Sequence, residues 1–221
     1  MVLCGRFFFL SPGPAIADLF QLAGVPELDP QYNIAPTQSI TAVRVAEAGR
    51  ELVSLRWGFI PAWSKDGKLA PINAISETAP EKPMFRSAFR KRRCLIPADG
   101  FCEWKPLTAK RKQPYAIRLA EDGPLAFAGL WEAWAGPDGP IESCGILITA
   151  PNGLTATIHN RMPVIVDPRD FDQWLDPAQQ DAAALAPLMK PFPAERMRAY
   201  PVSTWVNDVK HQDARCIEPA A

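Results

Sequence analysis

Apolar and polar positions alternate along much of this chain in short runs broken by glycine, proline and acidic or amide residues, the pattern of half-buried strands. Residues 39–46 and 51–57 read as the arms of a hairpin turning at Gly49-Arg50, and residues 57–63 as an aromatic loop. A strand signal runs from Cys94-Leu95-Ile96-Pro97 into residues 98–105, with return strands at 114–119, 126–134 and 143–149. Helical spacing is local: Ile16, Leu19 and Phe20 mark a helix over 14–23 closed by Gly24, and further helical pieces are expected at 76–92, 152–158 and 168–189. Many short strands with unevenly placed helices predict an α+β fold, a single domain over 1–217 with a mixed or barrel-like β core and peripheral helices. Residues 218–221 read as a short C-terminal tail.

Composition narrows the class. A chain of 221 residues, 48% of them apolar, suffices for one domain with a full core. No apolar run approaches ~18 residues, and Met1-Val2-Leu3-Cys4-Gly5-Arg6 lacks the basic-then-apolar order of a secretory signal. A cytoplasmic protein without a membrane partner is therefore expected. Five cysteines without a C-x-x-C pair indicate neither a disulfide framework nor a zinc site, so no metal is expected.

The net charge of zero hides an uneven distribution. Between Lys82 and Lys112 ten basic residues face only Asp99 and Glu103, a balance of +8 that the rest of the chain offsets. Such a stretch is either a phosphate-binding track or a solvated helix face and hairpin tip.

Among residues that could carry chemistry, Glu103 gives the sharpest signal. Strand alternation puts it on one face with Phe101, opposite Cys102 and Trp104, so a carboxylate shares a row with a large apolar residue. A buried carboxylate needs a partner or a raised pKa, both marks of acid/base sites, although an edge Glu reaching solvent fits the same pattern. Cys4 is either a small buried hydrophobe or a nucleophile, His159 a structural residue or a proton carrier. Asn73, within an apolar run, must satisfy its amide and can fix a loop or a ligand.

The blocks around these residues carry a resemblance. Cys4-Gly5-Arg6-Phe7, Tyr32 to Thr37, Arg56-Trp57-Gly58, Asn73-Ala74 with Ser76-Glu77-Thr78, Arg93 to Phe101 with Glu103-Trp104-Lys105, Ala128 to Glu132, Ile148-Thr149 and His159 to Pro163 occur in this order. From Cys4 to about Asn207 the chain resembles the SOS-response-associated peptidase (SRAP) family, also called abasic site processing proteins. The resemblance implies a sensor of abasic sites in single-stranded DNA, acting in the DNA damage and SOS response. It would link covalently to the damaged sugar through an N-terminal cysteine and shield it, without a cofactor.

In that chemistry the open-chain aldehyde condenses with a free α-amine, and the thiol of the same residue closes a thiazolidine. An amide nitrogen cannot do this, having no available lone pair. Reference pKa values of about 8 for the amine and 8.5 for the thiol leave part of each reactive near neutral pH. The resemblance makes Cys4 the nucleophile and Asn73, Glu103 and His159 its catalytic partners. Glu103 would shuttle protons, His159 serve the sugar oxygen, and Asn73 position the amine. Arg6, Asn33, Lys82, Arg86, Arg90, Thr149 and Arg161 are the expected DNA contacts, with Trp63 stacking on a base or wedging between strands. A monomer is expected, cytoplasmic and nucleoid-associated when engaged on DNA.

Departures from the family pattern also matter. Val2 and Leu3 stand between Met1 and Cys4, so exposing the cysteine needs a start at position 3 or cleavage before Cys4. Ile75 stands where an arginine is common, and Cys102 where an aromatic is common. Two other functions use the same residues: a cysteine peptidase built on Cys4 and His159, and a non-covalent single-stranded DNA-binding module.

Overall fold

A computed structural model describes residues 4–220. The strands are β1 (Phe7–Phe9), β2 (Gln31–Ile34), β3 (Ser39–Ala46), β4 (Gly49–Trp57), β5 (Asn73–Ile75), β6 (Arg93–Ala98), β7 (Gly100–Pro106), β8 (Lys112–Leu119), β9 (Leu125–Gly136), β10 (Gly139–Thr149), β11 (Met162–Pro163), β12 (Ile165–Val166) and β13 (Met197–Pro201). Short helices α1 (Gly13–Phe20), α2 (Arg86–Lys91), α3 (Phe171–Leu175) and α4 (Ala182–Leu185) lie between them.

Two sheets result. One is antiparallel in the order β13-β8-β7-β1-β2. In the other, β10 pairs with β4, β4 with β3, β3 with β6, β6 with β9, and β9 returns to β10, which closes a five-stranded barrel. Closure leaves these strands without a free edge, as the predicted α+β, barrel-like core requires.

The faces of the first sheet separate as the alternation in residues 101–104 predicts. Phe7 and Phe101 point into the large core, where Phe7 meets Trp57 and Phe127 edge-on at centroid distances of 5.2 and 5.8 Å. Phe8, Cys102 and Trp104 join a second cluster with Val202, Val206 and Cys216 on the other face. Cys102 is thus a packing residue pointing away from Glu103. Between β1 and β7 the backbones approach closely. A Cβ on Gly100 would lie 2.3 Å from the Phe8 ring and 2.6 Å from the Ile117 carbonyl oxygen.

Several expectations require correction. The first helix ends at Phe20, where Gln21 takes a left-handed φ of 52° and caps it before Gly24 is reached. Pro80 and Pro83 keep 76–85 in turns, so only Arg86–Lys91 is helical. The helical pieces expected over 168–189 are short α and 3₁₀ segments separated around Pro177, and 152–158 holds a single 3₁₀ turn. The strand expected through 94–105 is interrupted at Asp99. Strands β1, β2, β5, β11, β12 and β13 were not predicted. Glu218 to Ala220 are exposed, yet Pro219 bridges Val202 and the Ala220 N–H donates to the Pro201 oxygen at 2.8 Å.

Candidate functional site

The pairing of β1 with β7 brings the start of the described chain to Glu103. Phe7 lies opposite Phe101, so the chain preceding β1 runs alongside the outgoing half of β7. There the Cys4 backbone N–H donates to Glu103 Oε1 at 2.8 Å. Cys4 is buried, with a left-handed φ of 40° that an L-residue seldom adopts, and its oxygen lies 3.5 Å from Asn73 Nδ2. Asn73 belongs to β5, placed by its parallel pairing with β10, where it sits opposite Ile146. Cys4 therefore occupies the seam between the sheets, with Glu103 reaching it from one and Asn73 from the other.

Burial dominates the electrostatics. It pushes the Glu103 carboxyl up to about 7, while hydrogen bonds from the Cys4 and Trp104 backbone N–H groups and the charge of Lys112 pull the other way. Burial also raises the Cys4 thiol well above its ordinary range, and the neighbouring Glu103 and Cys102 raise it further. This corrects the expectation of a partly ionised thiol at neutral pH: Cys4 holds its proton.

His159 follows the 3₁₀ turn Thr155–Thr157 and precedes β11, which pairs with the end of β10. Its Nδ1 lies 3.2 Å from the Arg161 nitrogen and 3.3 Å from the Arg161 oxygen, so either tautomer engages Nδ1 locally and leaves Nε2 for another partner. Arg161 is ion-paired with Glu77. Thr149 is buried at the end of β10, and Ile75 lies opposite Ile148 with its side chain packed against the core.

The expected DNA contacts divide sharply. Trp63 is 60% exposed on a loop pinned at its base, where Trp134 Nε1 donates to the Ser64 oxygen at 2.6 Å. Lys82, Arg86 and Arg90 are exposed on and before α2. Arg93 leaves the basic track: its guanidinium is buried and donates to the carbonyl oxygens of Trp174, Phe89, Asp176 and Gln179. Arg92 is paired with Glu132 at 2.6 Å.

Arg6 and Asn33 turn inward. Arg6 Nη1 donates to Asn33 Oδ1 and to the Val206 oxygen, both at 2.7 Å. Asn33 is fully buried, and its Nδ2 donates to the oxygens of Asp208 and His211, both at 2.9 Å. As folded, Asn33 presents no free group to a ligand and ties the C-terminal loop to β2. Sequence reasoning counted Lys112 only as part of the basic stretch, without its charge acting on Glu103, and gave no role to Asn207, whose Oδ1 accepts from Trp104 Nε1 at 2.8 Å. Neither was separable from an ordinary surface residue before the β7–β8 pairing and the C-terminal turn were known.

Among the described residues, no cluster of histidine, cysteine and carboxylate side chains is arranged to hold a metal ion, and no helix is long and apolar enough to cross a membrane.

Comparison with known proteins finds relatives along nearly the whole chain. The chain is 42% identical over 222 residues to the abasic site processing protein YoqW of Bacillus subtilis, covering 98% of this chain and 99% of that one. It is 29% identical to the abasic site processing protein YedK of Escherichia coli, over 88% of this chain and 86% of the other. A crystal structure of a protein from Bacteroides thetaiotaomicron superposes with a TM-score of 0.85 at 26% identity, covering 99% of this chain and all of the other. The family described as SOS response associated peptidase (SRAP) matches residues 3–209. On that match and on the identity to YoqW, the chain belongs to the SRAP family.

Proposed function

We propose that this protein processes abasic sites in single-stranded DNA by forming a thiazolidine crosslink through Cys4, in a species whose chain begins at that residue. The observation that carries the reading is the 2.8 Å contact between the Cys4 nitrogen and a buried carboxyl whose pKa lies at about 7. The names of the relatives, all abasic site processing proteins, support the substrate.

Freed of residues 1–3, which lie outside the described chain, the same nitrogen becomes an α-amine that can share a proton with Glu103. The protonated thiol makes this amine the first nucleophile. Its lone pair attacks the aldehyde carbon of the opened sugar, and a proton passes from nitrogen to the new hydroxyl. Glu103 as the acid then protonates that hydroxyl, which leaves as water and gives an iminium. The thiol sulfur bonds to the iminium carbon as its proton returns to the Glu103 carboxylate. Glu103 ends protonated as it began, and the net loss is one water. A pKa near the working pH lets one group serve both steps. In this scheme His159 Nε2 passes a proton to the ring oxygen as the ring C–O bond breaks, the proton of the anomeric hydroxyl leaves to water to give the aldehyde, and Asn73 holds the Cys4 carbonyl and with it the direction of the amine.

The test is incubation with a single-stranded oligonucleotide carrying one abasic site. A heat-stable protein–DNA band that is absent with undamaged DNA and with a Cys4→Ala variant is expected. Equal salt-sensitive binding of both oligonucleotides without a covalent band would instead make the protein a non-covalent DNA-binding module.

A further inference from the structure

Where β7 ends, the β7–β8 hairpin and the turn at Thr204–Asn207 enclose an open groove of about 580 Å³. Trp104, Lys110, Arg111, Lys112 and Asn207 line it. Lys110, Arg111 and Lys112 are exposed, and none of them joins an ion pair among the described residues. The middle of the same basic segment behaves differently, since Arg92 and Arg93 are used inside the fold. At the hairpin, cationic charge is therefore concentrated and available.

The aromatic part of the groove is held firmly. Trp104 is fixed by its hydrogen bond to Asn207, and the Arg6 guanidinium carbon lies 5.7 Å from the centre of its ring. The turn carrying Asn207 is fixed in its place by Arg6 and Asn33, which donate to the oxygens of Val206 and Asp208. A rigid indole beside several free cations suits a single strand, whose bases stack on aromatic faces while its phosphates meet lysine and arginine. Trp104 points to the opposite face of β7 from Glu103, but Lys112, which lines the groove, acts by its charge on Glu103, so a strand that rounds the end of β7 from the Cys4 site meets the groove. Glu77 and Arg161 stand beyond Asn73, on the barrel side of Cys4.

We infer that this groove is a second nucleic-acid subsite that takes the sugar-phosphate backbone of single-stranded DNA on one flank of the damaged nucleotide, with a base against Trp104. The inference rests on the abasic-site reading above and adds to it a place for one flank of the strand.

The test compares wild type with a Lys110→Ala, Arg111→Ala variant, both changes lying at the exposed hairpin tip, after a matched melting temperature establishes that the variant is folded. Binding is measured over a salt series with undamaged single strands. Crosslinking is measured with strands carrying the abasic site at either end. Losing two phosphate contacts lowers the salt slope by about 1.4 and weakens binding roughly tenfold at low salt. Crosslinking slows for strands extended on one flank and is unchanged for strands extended only on the other. An unchanged salt slope and affinity overturn the inference, as does an equal loss for both flanks, which would signify a general charge effect. If wild type crosslinks no abasic strand, the proposed function falls, while binding of undamaged strands by the two proteins still decides the groove.

Discussion

Asp99 and Glu103 flank the same half of β7, and both are nearly inaccessible, at 3% and 4% exposure. Their surroundings are opposite. Asp99 accepts from the backbone N–H groups of Leu10 and Ser11 at 2.6 and 2.8 Å and from the Ser11 hydroxyl at 2.6 Å. It locks the chain between β1 and α1. Glu103 accepts from the backbone N–H groups of Cys4 and Trp104, and burial outweighs them to leave its carboxyl at about 7. One acid meets three donors and serves the fold; the other meets two, which do not offset its burial. Burial alone therefore does not separate the two acids; the raised pKa beside the Cys4 nitrogen does, and the proposed proton transfers rest on it.

The contrast can be broken most sharply at Glu103. Glu103→Gln keeps the shape and the acceptor for Cys4 but removes the exchangeable proton, and crosslinking at pH 7 should slow by about 10²-fold or more. Rates from single-turnover gels check this; a variant as fast as wild type would remove Glu103 from the proton transfers.

A second consequence concerns stability in the full 221-residue chain. The folded carboxyl titrates at about 7 against an ordinary value of 4.5, so between these pH values the folded state binds more protons than the unfolded. Stability should then fall as pH rises through this window, by up to about 3 kcal/mol, and Glu103→Gln should flatten the decline. Denaturant melts of both proteins at pH 5 and pH 8 measure the difference. A variant that loses as much stability as wild type between these values would contradict the assignment.

Asp99→Ala should behave in the complementary way. It strands two backbone donors and a hydroxyl, costing about 2–3 kcal/mol of stability, while the crosslinking rate per folded molecule stays near wild type. The smallest effect is expected at Glu77, whose pair with the half-buried Arg161 lies at the surface. Glu77→Gln should change stability by less than about 1 kcal/mol and, by releasing Arg161 to phosphate, tighten binding of single-stranded DNA a few-fold. Fluorescence anisotropy with a labelled oligonucleotide reads the change.

How much of this was legible in the sequence depended on the range of the interaction. Alternation in residues 101–104 separated Glu103 from Cys102 and Trp104 because side-chain direction in a strand is local. The β3–β4 hairpin was legible for the same reason. The short strands β1, β2, β5 and β13 were not, since each exists through pairing with distant residues: Phe7 with Phe101, Asn73 with Ile146 and Ala199 with Ile117. Over 76–92 the expected helix shrank to Arg86–Lys91 because Pro80 and Pro83 outweighed apolar spacing. Charge counting located a basic segment but could not tell Arg93, buried beneath carbonyl oxygens, from Lys110 at an exposed tip.

Intact mass of the natively produced protein, before and after exposure to an abasic single strand, tests the central claim most directly. The reading predicts a chain beginning at Cys4 that gains the mass of the oligonucleotide less one water. A chain that retains Val2 and Leu3 and still acquires that mass would contradict it.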